Sequence, residues 1–212
     1  MKKVAILGTG MVGQVLASGF KKNGFEVIMG TQTVGKKIDW KDAALKDTKI
    51  MGYKDAAKEG ELIVFTMKGT AAEKVAEEVA NEIAGKTVID TTNPIKDAPP
   101  ADGMVQFFTS LDDSLMERLQ RKAPKAHFVK AFSSVGSALM VDPKLPSKPT
   151  MFIAGNDASA KKEVTEILEK FGWETEDMGA APGARAIEPL CILWCIPGFM
   201  KNDWVHAFKM LR

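Results

Sequence analysis

The 212-residue sequence predicts an α/β fold, a doubly wound and mostly parallel sheet followed by a C-terminal helical segment. Three observations predict it. Strand-like and helix-like segments alternate along most of the chain. The strands are short apolar runs such as Leu62–Thr66, the pattern of strands buried on both faces. The first strand, Lys3–Leu7, runs directly into a glycine-rich turn that opens a helix.

Taken in order, Lys3–Leu7 reads as a strand and Met11–Asn23 as a helix stopped by Gly24. Glu26–Met29 is the second strand, and a short strand lies near Ile50–Tyr53. Leu62–Thr66 is the fourth strand, and apolar residues at helical spacing predict a helix over Thr70–Ala84 with Gly85 as its stop. Thr87–Asp90 is the fifth strand, and Asn93-Pro94 turns the chain after it. Pro99-Pro100, Asp102-Gly103 and Asp112-Asp113 mark a long surface stretch that ends in a helix around Ser114–Lys122. His127–Phe132, Met151–Ala154 and Glu174–Met178 read as strands, with a helix over Ala158–Phe171. Gly179 to Gly183 reads as a flexible joint, and Ala184–Arg212 as an apolar helical segment kinked at Pro197. Residues 1–180 therefore form the sheet domain, and residues 181–212 cover its cleft, a dimer interface, or both.

Composition narrows the function. The 29 basic and 27 acidic residues leave a formal charge of +2, without a basic cluster interleaved with aromatics, which argues against nucleic acid as partner. The longest apolar tract, Ile187–Met200, is broken by Glu188, Pro189 and Pro197 and falls short of the ~18 residues of a membrane span. The short apolar start reaches glycine at once, unlike a signal peptide, so a soluble cytoplasmic protein is expected. Cys191 and Cys195 share a helical face, yet no further ligands complete a metal site, and they read as two buried small apolar residues.

Gly8-Thr9-Gly10-Met11-Val12-Gly13 has the spacing G-x-G-x-x-G in a strand-to-helix context. The first glycine permits the tight turn, the second lets backbone approach a pyrophosphate, and the third lets helix pack on strand. The free N–H groups and dipole of the helix start favour phosphate. This is the mark of a Rossmann NAD(P)-binding fold. NAD-binding chains carry Asp or Glu about 20 residues past the turn. Here the second strand leads to Gly30-Thr31-Gln32-Thr33 and Lys36-Lys37, with no carboxylate before Asp39. Hydroxyl, amide and ammonium groups suit a 2′-phosphate, so NADP is the expected cofactor.

Five stretches, in this order and spacing, resemble the deazaflavin-dependent NADP oxidoreductase family, whose members pass hydride between NADPH and coenzyme F-420. They are Val4-to-Gly13, Gly30-Thr31-Gln32, Val88-to-Pro94, Val129-to-Gly136 and Ala184-to-Leu190. The ending Phe208-Lys209-Met210-Leu211-Arg212 is similar to that of the family's uncharacterised dinucleotide-binding members. The resemblance covers essentially the whole chain. It implies that Thr9, Gly10, Met11 and Val12 wrap the pyrophosphate, with Gly8 and Gly13 completing the cofactor-binding turn. Thr31, Gln32 and Lys36 then face the 2′-phosphate, while Met67 and Lys68 lie along the adenosine ribose and phosphates. Asn93, Pro94 and Ala131 frame the nicotinamide, and Ser133 and Ser134 are candidate substrate contacts. The chain departs from many relatives at Gln32 and at Ser133-Ser134. Because related domains also give hydride to flavin, the acceptor stays open between a deazaflavin and a flavin.

Other side chains carry weaker readings. Ser133 and Ser134 contact nicotinamide or acceptor, or close a strand end on their own backbone. Arg185 and Glu188 share a helical face and either pair locally or line the acceptor cleft. His127 and His206 read as structural, and no catalytic acid or base and no metal ligand is expected. Trp194, Phe199 and Trp204 bury themselves or pack against a second subunit, and a homodimer acting on a small-molecule redox acceptor is expected. Two alternatives remain at this level: a redox sensor that binds NADP(H) without turnover, and a reductase of a small carbonyl or imine.

Overall fold

The computed structural model describes all residues, 1–212. The first half comprises β1 (Lys3–Leu7), α1 (Met11–Lys22), β2 (Glu26–Thr31), β3 (Lys49–Gly52), α2 (Tyr53–Glu59), β4 (Leu62–Phe65) and α3 (Gly69–Glu78). The second comprises β5 (Thr87–Asp90), α4 (Leu115–Lys122), β6 (His127–Lys130), β7 (Thr150–Gly155), α5 (Ala158–Lys170), β8 (Glu174–Asp177), α6 (Ala184–Ile187) and α7 (Leu190–Lys201). The strands form one eight-stranded sheet in the order β3-β2-β1-β4-β5-β6-β7-β8.

Alternating side chains of each strand feed two cores, which is what covering both faces with helices requires. Val4 and Ile6 of β1 join Leu16 and Phe20 of α1 and Leu168 of α5. Ala5 and Leu7 point the other way, onto Ala57 of α2, Val75 of α3 and Leu119 of α4. The chain winds outward from β1 to β3, then returns to β4 on the other side of β1, so the order reverses between β1 and β4. That switch point opens a crevice at the strand C-terminal ends.

The predicted mostly parallel sheet is present, and its antiparallel exception is β6 with β7. Residues 131–149 between them hold only one short turn, Ser137–Leu139, and lack the crossover helix a parallel return needs. From β7 to β8 that helix exists, as α5, and the pairing is parallel again.

Several elements differ from expectation. Helix α2 was not predicted, because in seven residues only Ala56 and Ala57 are buried and no apolar period becomes visible. Helix α3 ends at Glu78, short of Ala84. The Gly179–Gly183 joint is a packed turn: the Gly155 N–H donates to Gly179 O (3.0 Å) and the Ala181 N–H to Asn156 Oδ1 (2.9 Å). The helical reading of the last segment fails beyond Lys201. Asn202 adopts a left-handed conformation (φ 54°) and ends α7, and residues 203–212 run without helix over the start of β7. There the Thr150 N–H donates to Phe208 O (2.9 Å) and the Met210 N–H to Thr150 Oγ1 (3.1 Å). A partner along the sheet replaces the intrahelical bonds of the tail.

Candidate functional site

The glycine turn sits at the switch point, between the ends of β1 and β4. Gly8 has φ +134°, and a Cβ there would meet Thr66 Oγ1 and the Thr66 backbone. A Cβ on Gly13 would overlap the Gly8 carbonyl, so α1 can lie against β1 only with glycine at this position. Gly10 is different: a Cβ would meet nothing within 4 Å. It is also the N-cap of α1, with no side chain capping it and no acidic residue in the first turn. Exposed Gly10 and Met11 and half-buried Thr9 and Val12 thus surround a helix start whose N–H groups are free for an anion.

Thr31 ends β2 half-buried, and Gln32, Thr33, Lys36 and Lys37 are exposed beyond it. Neither Lys36 nor Lys37 is in an ion pair, whereas the first carboxylate, Asp39, is taken by Lys41. Buried Gln14 ties this loop to the glycine turn. Its Nε2 donates to Thr9 O (3.1 Å) and Asp39 O (3.2 Å), and its Oε1 accepts from the Lys41 N–H (2.9 Å). The sequence reading missed Gln14; an amide inside an otherwise apolar helix face was its signal.

Across the crevice a cavity of about 310 Å³ is lined by Val12, Thr66, Met67, Thr92 and Asn93 among others. Met67 lies half-buried in its wall, while Lys68 is exposed and reaches over to Asp97 (3.1 Å). Asn93 Nδ2 donates to Ser133 O (2.8 Å), which locks the loops after β5 and β6 together. Asn93 Oδ1 and Ser133 Oγ are buried with no partner. Unmet buried polar atoms are costly, and these two lie on the paired loops after β5 and β6. Pro94, Ala131 and Ser134 are buried. The Ala131 methyl belongs to the core. Phe132 between them is left-handed (φ 63°), a strained non-glycine conformation beside the site.

Behind these loops lies an ion cluster. Lys130 Nζ reaches Asp90 Oδ2 (2.9 Å) and Glu188 Oε1 (3.0 Å), and it also donates to the Thr92 carbonyl. Asp90 Oδ1 accepts from the Thr92 N–H (2.9 Å) and hydroxyl (2.6 Å). Glu188 accepts from the Leu115 N–H (2.9 Å) and the Met116 N–H (3.0 Å) at the start of α4. Burial opposes the Lys130 charge, but Asp90 and then Glu188 outweigh it and raise its pKa above the ordinary lysine value. Two charges at the ends of neighbouring buried strands, Asp90 and Lys130, were the sequence signal, because a buried charge needs a partner. Glu188 could not be assigned from local spacing. The expected Arg185–Glu188 pair is absent: Arg185 instead forks onto Glu117 (2.7 and 2.9 Å). The Arg185 guanidinium first, with Ser114 helping, holds the Glu117 carboxyl down to about 2.

The C-terminal segment closes this side. Trp194 packs on Gly136, where a Cβ would collide with the indole, and its Nε1 donates to His206 O (2.8 Å). Trp204 tilts against Trp194 and meets Phe199 edge-on. A smaller cavity of about 210 Å³ separates Phe107 and Leu111 from Arg185, Pro189 and Ile192. His206 lies 3.6 Å from Asp203 and His127 lies 3.8 Å from Asp157, carboxylate neighbours that sequence spacing did not assign. Cys191 and Cys195 are free thiols, and the thiol of Cys191 is pushed up by Cys195 beside it and by burial. A larger concavity of about 690 Å³ opens beside Ser18 and Lys22 of α1 and is edged by Asp42 and Asp142. Its Lys22 and Asp142 are paired with each other.

Comparison with known proteins agrees with this layout. The family model described as NADP oxidoreductase, coenzyme F420-dependent, matches residues 3–94, from β1 through Asn93-Pro94. The F420-dependent NADP reductase of Methanocaldococcus jannaschii is 29% identical over 202 residues, covering 89% of this chain and 88% of the relative. The enzyme of the same name from Methanothermobacter marburgensis is 29% identical over 222 residues, covering 98% and 99%. A crystal structure from Arthrobacter sp. FB24, of a protein assigned as an F420-dependent NADP reductase, superposes with TM-score 0.92 at 28% identity over 100% of both chains. With a Rossmann sheet, a glycine turn at its switch point and this likeness along its length, the chain is similar to the coenzyme F420-dependent NADP oxidoreductases.

Proposed function

We propose that this chain is an NADP(H)-dependent oxidoreductase that exchanges hydride with the deazaflavin coenzyme F420. The observation that carries the reading is the pair of complementary ends across one crevice. An open, uncapped helix start lies at Gly10, and two unpartnered polar atoms, Asn93 Oδ1 and Ser133 Oγ, lie at the other end.

When bound, the nicotinamide and the deazaflavin supply the hydride chemistry. The residues of the chain bind and orient. Gly8, Thr9, Gly10, Met11, Val12 and Gly13 cradle the pyrophosphate, and Thr31, Gln32 and Lys36 hold the 2′-phosphate. Met67 and Lys68 lie along the adenosine ribose and phosphates, which requires Lys68 to leave Asp97. Asn93, Pro94 and the Ala131 backbone frame the nicotinamide, with Asn93 Oδ1 placed to accept from its carboxamide. Ser133 and Ser134 border the acceptor. Holding two planar rings face to face is a task of proximity, so no side chain has to act as acid or base.

Residues 181–212 cover this cleft and form the interface of a homodimer. Leu193 (55% exposed), Phe199 (45%) and Met200 (66%) leave an apolar surface on α7 that a second subunit would bury. Two free thiols fit a cytoplasmic setting, where cysteines stay reduced.

Anaerobic mixing of the protein with NADPH and either F420 or FMN, followed by absorbance, tests the activity. NADPH oxidation with F420 is expected. Tight NADPH binding without turnover on either carrier would favour a sensor over an enzyme. Light scattering should show a dimer, and a monomer at high micromolar concentration would remove the interface.

A further inference from the structure

The cluster behind the nicotinamide loops is one positive charge short. It contains two carboxylates, Asp90 and Glu188, and one ammonium, Lys130, all essentially sealed from solvent at 0, 1 and 0% exposure. The neighbouring groups do not supply the missing cation. Arg185 is committed to Glu117, and the raised Cys191 thiol stays neutral. The start of α4 gives Glu188 two N–H donors and part of a dipole, not a full charge. Lys130 spends hydrogen bonds on Asp90 and the Thr92 carbonyl, and the next residue is Asn93. The surplus negative charge therefore lies directly behind the loop of Asn93, a residue that lines the crevice and whose amide oxygen has no partner.

We infer that the Asp90–Lys130–Glu188 cluster sets the redox preference of the site, favouring the positively charged oxidised nicotinamide of NADP⁺ over the neutral ring of NADPH. The inference rests on the cofactor placement proposed above. A buried negative charge attracts a nicotinium ring in a low-dielectric setting and leaves a neutral dihydronicotinamide nearly unaffected. The reduced cofactor is thereby made the stronger hydride donor. Asp90, Lys130 and Glu188 act through the loops and the field, as positioning residues.

The test is the ratio of dissociation constants for NADP⁺ and NADPH, measured by calorimetry at pH 8. Glu188→Gln should weaken NADP⁺ by about 3- to 30-fold while NADPH changes little. A tenfold change in that ratio corresponds to about 30 mV in the midpoint potential of the bound pair. Asp90→Asn makes the same charge change on the other side of the ammonium and serves if Glu188→Gln does not fold. The double variant Lys130→Met/Glu188→Gln removes one charge of each sign and should return the ratio toward that of the unaltered protein. A purely structural role would weaken both nucleotides alike in all three variants, which overturns the inference. An unchanged ratio in Glu188→Gln and Asp90→Asn overturns it as well and leaves the cofactor site standing. Failure of the unaltered protein to bind either nucleotide would overturn the site assignment itself, and the inference with it.

Discussion

At the glycine end of the crevice the surface is mostly backbone, and the structure there is open. Gly10 and the loop from Gln32 to Lys37 are exposed, and Gln14 ties the glycine turn at Thr9 to the chain beyond that loop through its bonds to Asp39 and Lys41. At the far end the loops after β5 and β6 are tied by side chains from distant parts of the chain. Asn93 holds Ser133, Lys130 holds Asp90 and Glu188, and Glu188 holds the start of α4. The contrast suits the two tasks. A pyrophosphate needs N–H groups and room, whereas a reacting ring needs walls that do not move.

The sharpest way to break this comparison is to place one side chain in the open end. Gly10→Val should fold normally, since its Cβ meets nothing, yet NADPH binding should fall below detection by calorimetry. Gly13→Val is the counterpart, because its side chain would strike the Gly8 carbonyl and the fold itself should suffer. At the tied end, Lys130→Met leaves two buried carboxylates facing each other and should lower stability by about 3–5 kcal/mol, read from urea unfolding. A loss below about 1 kcal/mol would show that the cluster does not brace the loops.

Smaller effects refine the picture. Replacing Lys36 and Lys37 together by Ala should weaken NADPH about 10-fold or more and leave NADH unchanged, because only the 2′-phosphate loses charge-assisted partners. Equal losses for both would place the phosphate elsewhere. The smallest effect concerns the Arg185–Glu117 pair, which joins α4 to α6. Glu117 titrates at about 2 in the folded chain against an ordinary 4.5. The pair's stabilisation is then complete above pH 4.5 and is lost as pH falls through about 2. Glu117→Gln should flatten the acid limb of a stability profile by about 1 kcal/mol, modest because Arg185 is 39% exposed. An acid limb identical in both proteins would show that the pair does not stabilise the fold.

Much of this was legible in the chain as written. The succession of apolar runs along the chain, the glycine turn and the carboxylate-free loop after β2 each depend on residues close in sequence, so local pattern exposes them. The α2 helix and the true end of α7 were not legible. Ala56 and Ala57 bury because β1 and β2 lie beneath them, and residues 203–212 leave the helical path because Thr150 offers other hydrogen bonds. Neither partner is near in sequence, and tertiary context overrides propensity in both.

The sequence by itself determined the α/β class, the glycine turn that opens the first helix and the absence of an acidic residue in the loop after β2 before Asp39. All three reside in backbone chemistry and in residue types a few places apart. Only the tertiary structure decided that Glu188 leaves Arg185 for Lys130, that Arg185 forks onto Glu117, and that Gln14 anchors the loop after β2. Charged and amide side chains in an interior must be satisfied by whatever partner folding brings within about 3 Å, and sequence spacing carries no record of which partner that will be.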